Sequence, residues 1–202
     1  MSVPVSRPPA GRRHLAELTE PLAALSADAP RLELWGRRLA GVLVRGGRLL
    51  AAGNGGSASQ AQHLTSELVG RYRDDRPPFS AIALCTEGSA LTAIGNDYGI
   101  GEVFARQVRG HGRPDDVLVA LSTSGRSANV LAAVDAAHEG GLETWALTGR
   151  PGNPLARRCH DALCVDSPHT ATIQEIHLIA IHLLCAAVDD ALAHLLLDGV
   201  GP

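Results

Sequence analysis

Three short runs of this chain, Ala81-Ile-Ala-Leu-Cys85, Val117-Leu-Val-Ala-Leu121 and Thr144-Trp-Ala-Leu147, are almost wholly apolar and do not alternate with polar residues. A strand with one face in water alternates; one that does not is covered on both faces. Such strands belong to a parallel sheet between two helical layers, and each parallel step needs a crossover helix. The intervening stretches supply those helices. The pattern reads as strand 48–53, helix 57–70, strand 81–85, helical segments in 88–95 and 101–110, and strand 117–121. Helix 127–139, strand 143–148, strand 161–166 and a long helix over about 171–197 complete it. Helices 12–28 and 31–46 precede this alternation, broken at Pro30, the second with an apolar stripe of Leu32, Leu34, Trp35, Leu39, Val42 and Leu43. The expected fold is a doubly wound α/β sandwich of about five parallel strands with an N-terminal helical arm. Residues 1–11 read as a disordered lead, 12–46 as the arm and 47–199 as the α/β domain.

Aromatic residues are only 3% of the chain, so the core must be built from Ala, Leu and Val. The formal charge is −3, with no basic run beyond Arg12-Arg13 and Arg37-Arg38, which argues against nucleic acid as a ligand. Residues 1–10 hold no apolar signal segment, and no stretch reads as the ~20 apolar residues of a membrane span. A cytoplasmic protein is expected, without membrane or nucleic-acid partners. Cys85, Cys159, Cys164 and Cys185 form no CxxC pair and read as free thiols.

The strand at 48–53 runs into Gly53-Asn-Gly-Gly-Ser57, a glycine-rich turn opening a helix, where backbone N–H groups can face an anion. That helix carries His63 and Glu67 four residues apart, on one face, where they can share a metal or a substrate. The turn also satisfies G-x-G-x-x-A, but a dinucleotide site wants an acidic residue ~20 positions on. Glu87 stands about thirty residues after the turn, so a dehydrogenase is disfavoured. A second anion candidate is Ser122-Thr-Ser-Gly-Arg-Ser127, between a strand and a helix. Ser127 alone would be an ordinary helix cap, but a cap needs one hydroxyl and this loop has four. Near the last helix, Thr172 and Glu175 fit a capping box, while His177 and His182 sit among apolar neighbours like core histidines. Asn96-Asp97-Tyr98-Gly99 reads as a turn.

Five segments in order carry a resemblance: Gly53–Ser57, Ala61–Tyr72, Leu91–Gly99, Ser122–Asn129 and Ile173–His182. Together they are similar to the sugar-isomerase (SIS) domain family, and within it to the phosphoheptose isomerases. The resemblance implies conversion of sedoheptulose 7-phosphate to D-glycero-D-manno-heptose 7-phosphate through a cis-enediol. It implies a homotetramer with active sites at subunit interfaces and one zinc ion per subunit. Ser122, Thr123, Ser124 and Ser127 would hold the phosphate; Asn54, Gly55, Gly56, Ser57, Asn96, Asp97 and Gln174 would bind the rest of the substrate. His63, Glu67, Gln174 and His182 match the metal ligands, with Glu67 and His182 also matching the base and the acid. Gln174 and His182 lie about 12 Å apart along a regular helix, so either the helix start is irregular or a ligand comes from another subunit. Arg126 and Thr172 depart from the family pattern and are expected to tune substrate preference. The alternative on the same fold is a non-catalytic protein that binds the bacterial replication initiator or senses a phosphosugar. The initiator-binding relative lacks the glutamate and second histidine that this chain keeps as Glu67 and His182.

Overall fold

The computed structural model describes residues 9–197, and the first eight positions of the expected lead lie outside them. Helices α1 (Ala10–Leu25) and α2 (Ala29–Val44) come first, joined by a 3-10 turn at Ser26–Asp28. Then follow β1 (Leu49–Gly53), α3 (Gly56–Val69), β2 (Ala81–Ala83), α4 (Gly88–Tyr98), α5 (Ala105–His111) and β3 (Val117–Ser122). The chain continues through α6 (Ala128–Glu139), β4 (Glu143–Thr148), α7 (Pro154–Arg158), β5 (Asp161–Cys164) and α8 (Thr170–Leu197). All five strands pair in parallel in the order β2-β1-β3-β4-β5, with Leu49 opposite both Ala81 and Val117. This is the doubly wound sandwich expected from the apolar runs.

Alternate residues of the buried strands feed two separate cores. Leu49, Ala51, Val117, Val119, Leu121, Trp145 and Leu147 face a layer made by α1, α2, α3 and α8. Leu50, Ala52, Leu118, Ala120 and Ala146 face the layer of α5, α6 and α7. Both tryptophans serve the first core: Trp35 stacks on Trp145 at 4.9 Å between ring centroids. Each buried indole N–H finds a carboxylate, Asp161 for Trp35 and Glu143 for Trp145.

Several boundaries differ from the sequence reading, each for a local reason. Pro30 does not break the arm; it sits in the first turn of α2, where its missing N–H costs nothing, and the break falls at Ser26–Asp28. Helix α1 starts at Ala10, inside the expected lead, and runs through Pro21. The loop after β4 contains the short helix α7, opened by Pro154 and capped by Asn153, whose side chain accepts from the Ala156 N–H. Asn96 and Asp97 form no turn but end α4, which stops at Gly99 in the left-handed region. Helix α8 is long and apolar enough to cross a membrane by length and composition, contrary to the expectation that no stretch is; half of that span is buried, and the helix packs along α2 and α3.

Candidate active site

Strand order reverses between β1 and β3. From β1 the chain crosses to the edge strand β2 through α3 on one face, and from β3 it leaves through α6 on the other. The crevice at the carboxyl ends of such strands is where open α/β sheets take ligands, and both anion-candidate loops lie there. Asn54 after β1 and Asn129 at the start of α6 clasp each other across the crevice, each amide donating to the other at 2.9 Å. Asn129 was passed over in the sequence because its partner lies 75 residues away. No spacing rule reaches that far.

On the β3 side, Ser122 Oγ lies 3.1 Å from Ser127 Oγ and 3.5 Å from Ser124 Oγ. The loop turns at Gly125, held in the left-handed region and pressed on Asn153, where a Cβ would meet the Asn153 side chain. Ser127 occupies the N-cap position of α6 yet makes no cap hydrogen bond with its side chain. Its hydroxyl belongs to the serine cluster, and the α6 N-terminus opens toward it. Three clustered hydroxyls with a helix N-terminus can take a tetrahedral oxyanion. Thr123, Ser124 and Arg126 line a cleft of about 490 Å³ together with Arg150, Ser167 and Thr170. Arg126 is exposed there and makes no ion pair among the described residues.

On the β1 side, Gly56 opens α3 directly beneath the Gln174 side chain of α8; any Cβ at Gly56 would strike that amide. Ser57 is buried beside it, and Gly55 takes a positive φ. Gln60 donates its amide to the Gln174 carbonyl. Helices α3 and α8 thus run side by side in the same direction. Two turns further down α3, about 10 Å from Gly56 by helical rise, stands the second cluster. His63 Nε2 lies 3.1 Å from Glu67 Oε1 and 3.0 Å from His182 Nε2, and the Tyr72 ring tilts over His182 at 5.6 Å. The three ligand atoms lie within 4.8 Å of one another. Ligands about 2.0–2.1 Å from a tetrahedral zinc are separated by about 3.3 Å, and two imidazoles with a carboxylate are a common catalytic donor set that leaves a position open. Spacing and chemistry therefore fit a metal ion.

His182 is accordingly no core histidine, whereas His177 is: fully buried, it bonds through Nε2 to the Thr148 carbonyl at 3.1 Å. Gln174 is not brought to the His63–Glu67–His182 group within one chain, because α8 is one continuous helix and places it against Gly56 instead. Asn96 and Asp97 hydrogen-bond to each other on the exposed end of α4. The capping box expected at Thr172–Glu175 does not form. Helix α8 begins at Thr170, Thr172 is buried without a partner, and Glu175 pairs with His14 of α1 at 2.8 Å. Glu87 caps α4 by accepting from the Ala90 and Ser89 amides, which holds its carboxyl below its usual range. The four cysteines are free, and burial pushes the Cys159 and Cys185 thiols up to about 12, far from thiolate chemistry at neutral pH.

The SIS domain family matches residues 13–149, so the arm helices fall largely inside the family's own span. The phosphoheptose isomerase of Streptomyces coelicolor is 65% identical over 179 residues, covering 89% of this chain and 78% of that one. That of Thiobacillus denitrificans is 53% identical, covering 85% and 88%. Among solved structures, a phosphoheptose isomerase from Neisseria gonorrhoeae superimposes with a TM-score of 0.81 at 43% identity, covering 89% of this chain and 96% of that one. Another from Francisella tularensis gives 0.83 at 36% identity, with the same coverage of both. With the family model matching residues 13–149 and relatives up to 65% identical over 89% of its length, the chain belongs to the SIS-domain family and, within it, to the phosphoheptose isomerases.

Proposed function

We propose that this isomerase interconverts sedoheptulose 7-phosphate and D-glycero-D-manno-heptose 7-phosphate through a cis-enediol, as a zinc-dependent homotetramer in the cytoplasm. The observation that carries the reading is the close group of His63, Glu67 and His182, set on the two helices whose upper ends border the ligand crevice. A protein that only binds a phosphosugar needs the serine cup; it has no use for a carboxylate and two imidazoles 3 Å apart.

In this reading Ser122, Thr123, Ser124 and Ser127 hold the phosphate and so fix the carbonyl end of the sugar, the entropic part of the catalysis. Asn54, Gly55, Gly56, Ser57, Asn96 and Asp97 contact the sugar. His63 through Nε2 and Glu67 through Oε1 would hold the metal, joined by His182 Nε2 except while that nitrogen carries the proton, and a bound zinc would supply a Lewis acid for charge developing on the sugar oxygens. Glu67 takes the C1 proton while the C2 carbonyl oxygen gains a proton from His182. The O1 proton then passes to His182 and the carboxyl proton returns to C2, which leaves the aldose and both residues as they began. Among the described residues no hydrogen bond occupies Glu67 Oε2, so one carboxylate oxygen can serve the metal and the other the proton.

The cup lies at the crevice, whereas the group stands about two turns down α3, and Gln174 lies at the start of α3 against Gly56. A second subunit resolves this separation by presenting its cup, or its Gln174, to the group of the first. Val69, Ile179 and Leu183, exposed apolar neighbours of the group on α3 and α8, offer the surface such a subunit would cover. The test is Glu67→Gln, assayed as aldose formation from sedoheptulose 7-phosphate. A fall of about 10²–10⁴-fold is expected for loss of a general base; unchanged turnover removes Glu67 from the chemistry. An unaltered protein that binds the ketose phosphate without turning it over would instead be a phosphosugar sensor or an initiator-binding protein.

A further inference from the structure

We infer that Arg76 and Asp189 are positioning residues that hold α3 and α8 in register at the His63–Glu67–His182 group; the inference rests on the metal reading of that group. Arg76 lies in the polar segment after α3, where a charged residue would ordinarily be solvated. Its side chain is only 9% exposed. Nη1 donates to the Leu68 carbonyl at 3.0 Å and to that of Pro77 at 3.1 Å, and Nη2 donates to the Glu67 carbonyl at 2.6 Å. The last carbonyls of a helix have no partner within it, so the guanidinium closes the end of α3 and grips the backbone of Glu67 itself. The Phe79 ring lies 5.4 Å under the same guanidinium and fixes its plane.

Nε donates to Asp189 Oδ1 at 2.8 Å. Asp189 stands two turns after His182 on α8, and its other oxygen is buried without a partner. Helices α3 and α8 are therefore tied at three levels: Gln60 to the Gln174 carbonyl near the crevice, the histidines in the middle, and Arg76 to Asp189 at the far end. Two of these ties flank the group. Removing the lower one frees the end of α3 that carries Glu67 to tilt against the helix that carries His182. A metal site tolerates only about ±0.2 Å in its ligand distances, so a small tilt weakens it while the crevice end, held by Gln60, keeps its shape.

The experiment uses the full chain, its Arg76→Lys and Asp189→Ala variants, and His182→Ala as the reference for a lost ligand. Zinc affinity is measured by competition with a chromophoric chelator. Inorganic phosphate binding by calorimetry and the far-ultraviolet spectrum report the crevice and the fold. The expected result is wild-type phosphate binding and helicity in both variants, with zinc affinity lowered about tenfold or more. Lysine can reach Asp189 or one carbonyl but cannot span both, so it does not restore the affinity. Folded variants that melt earlier yet bind zinc as tightly as the wild type would make the pair purely structural and overturn the inference. If Arg76→Lys does not fold, Asp189→Ala decides, because it removes the acceptor of Arg76 Nε and leaves the cap on α3 intact. A wild-type chain that takes up no zinc overturns the metal reading, and the inference with it.

Discussion

Ser127 sits where a serine normally closes a helix, and its hydroxyl turns instead to Ser122 at 3.1 Å. The two possible duties of that side chain separate by experiment. In Ser127→Ala, loss of one charge-assisted hydrogen bond to a phosphate is expected to raise KM for the sugar phosphate about tenfold, with kcat little changed. A residue that merely capped α6 would lower stability by about 1 kcal/mol and leave KM alone. At this scale the sequence was informative wherever the partner is close in the chain. His63 and Glu67 follow from the helical repeat, and the serine loop from its own composition. The Asn54–Asn129, Tyr72–His182 and Arg76–Asp189 pairings do not, because each joins residues 75 to 113 positions apart, and nothing local distinguishes these residues from solvated polar positions. His182 was separated from His177 only by resemblance, since both occupy the same apolar stretch of α8.

Between elements, the arm helix α1 is joined to the start of α8 by paired ionisable groups. His14 lies 2.8 Å from Glu175, with Glu17 near both His14 and His169. The hydrogen bond to Glu175 and the charge of that carboxylate, aided by Glu17, raise the His14 imidazole above its usual range. A raised folded-state pKa stabilises fully below the unfolded value near 6.5 and is lost as pH rises through the folded value. Amide protection in α1 is therefore expected to fall between pH 6 and pH 8, after correction for intrinsic exchange, and Glu175→Gln should flatten the change. A wild-type profile already flat over that range would mean that the apolar face of α1 alone holds the arm. Element type was well specified by apolar periodicity, whereas ends were not. Pro30 was read as a breaker because its ring and missing N–H stop a helix interior, but neither acts in a first turn. The same chemistry at Pro154 concealed α7.

Across the molecule, the sheet carries two cores, and a titratable group is buried beside one of them. His177 is fully buried, and burial lowers its imidazole to about 4 against the single hydrogen bond to Thr148. With a folded pKa below the unfolded one, the chain is fully stabilised by this group above about pH 6.5 and loses that contribution as pH falls toward 4. Between pH 7 and pH 4.5 urea unfolding of the wild type should lose about 2–3 kcal/mol more than that of His177→Gln, whose amide can still donate to Thr148. Equal losses would show that the imidazole is protonated without penalty. The sandwich itself was legible because three apolar runs that do not alternate, set between helical stretches, admit few other arrangements. Assignment of helices to the two faces was not, since both layers are equally apolar.

Gly36 of α2 lies so close to α8 that a Cβ there would overlap Ala187, which brings α2 against a helix far downstream in the chain. A growing polypeptide can wind α2 early but must leave its apolar stripe bare until α8 leaves the ribosome. His182 arrives with that same helix, so a chain halted before α8 lacks both the cover of its first core and the third member of its metal-ligand group. Burial of that stripe and assembly of the metal-ligand group thus both wait on the synthesis of α8.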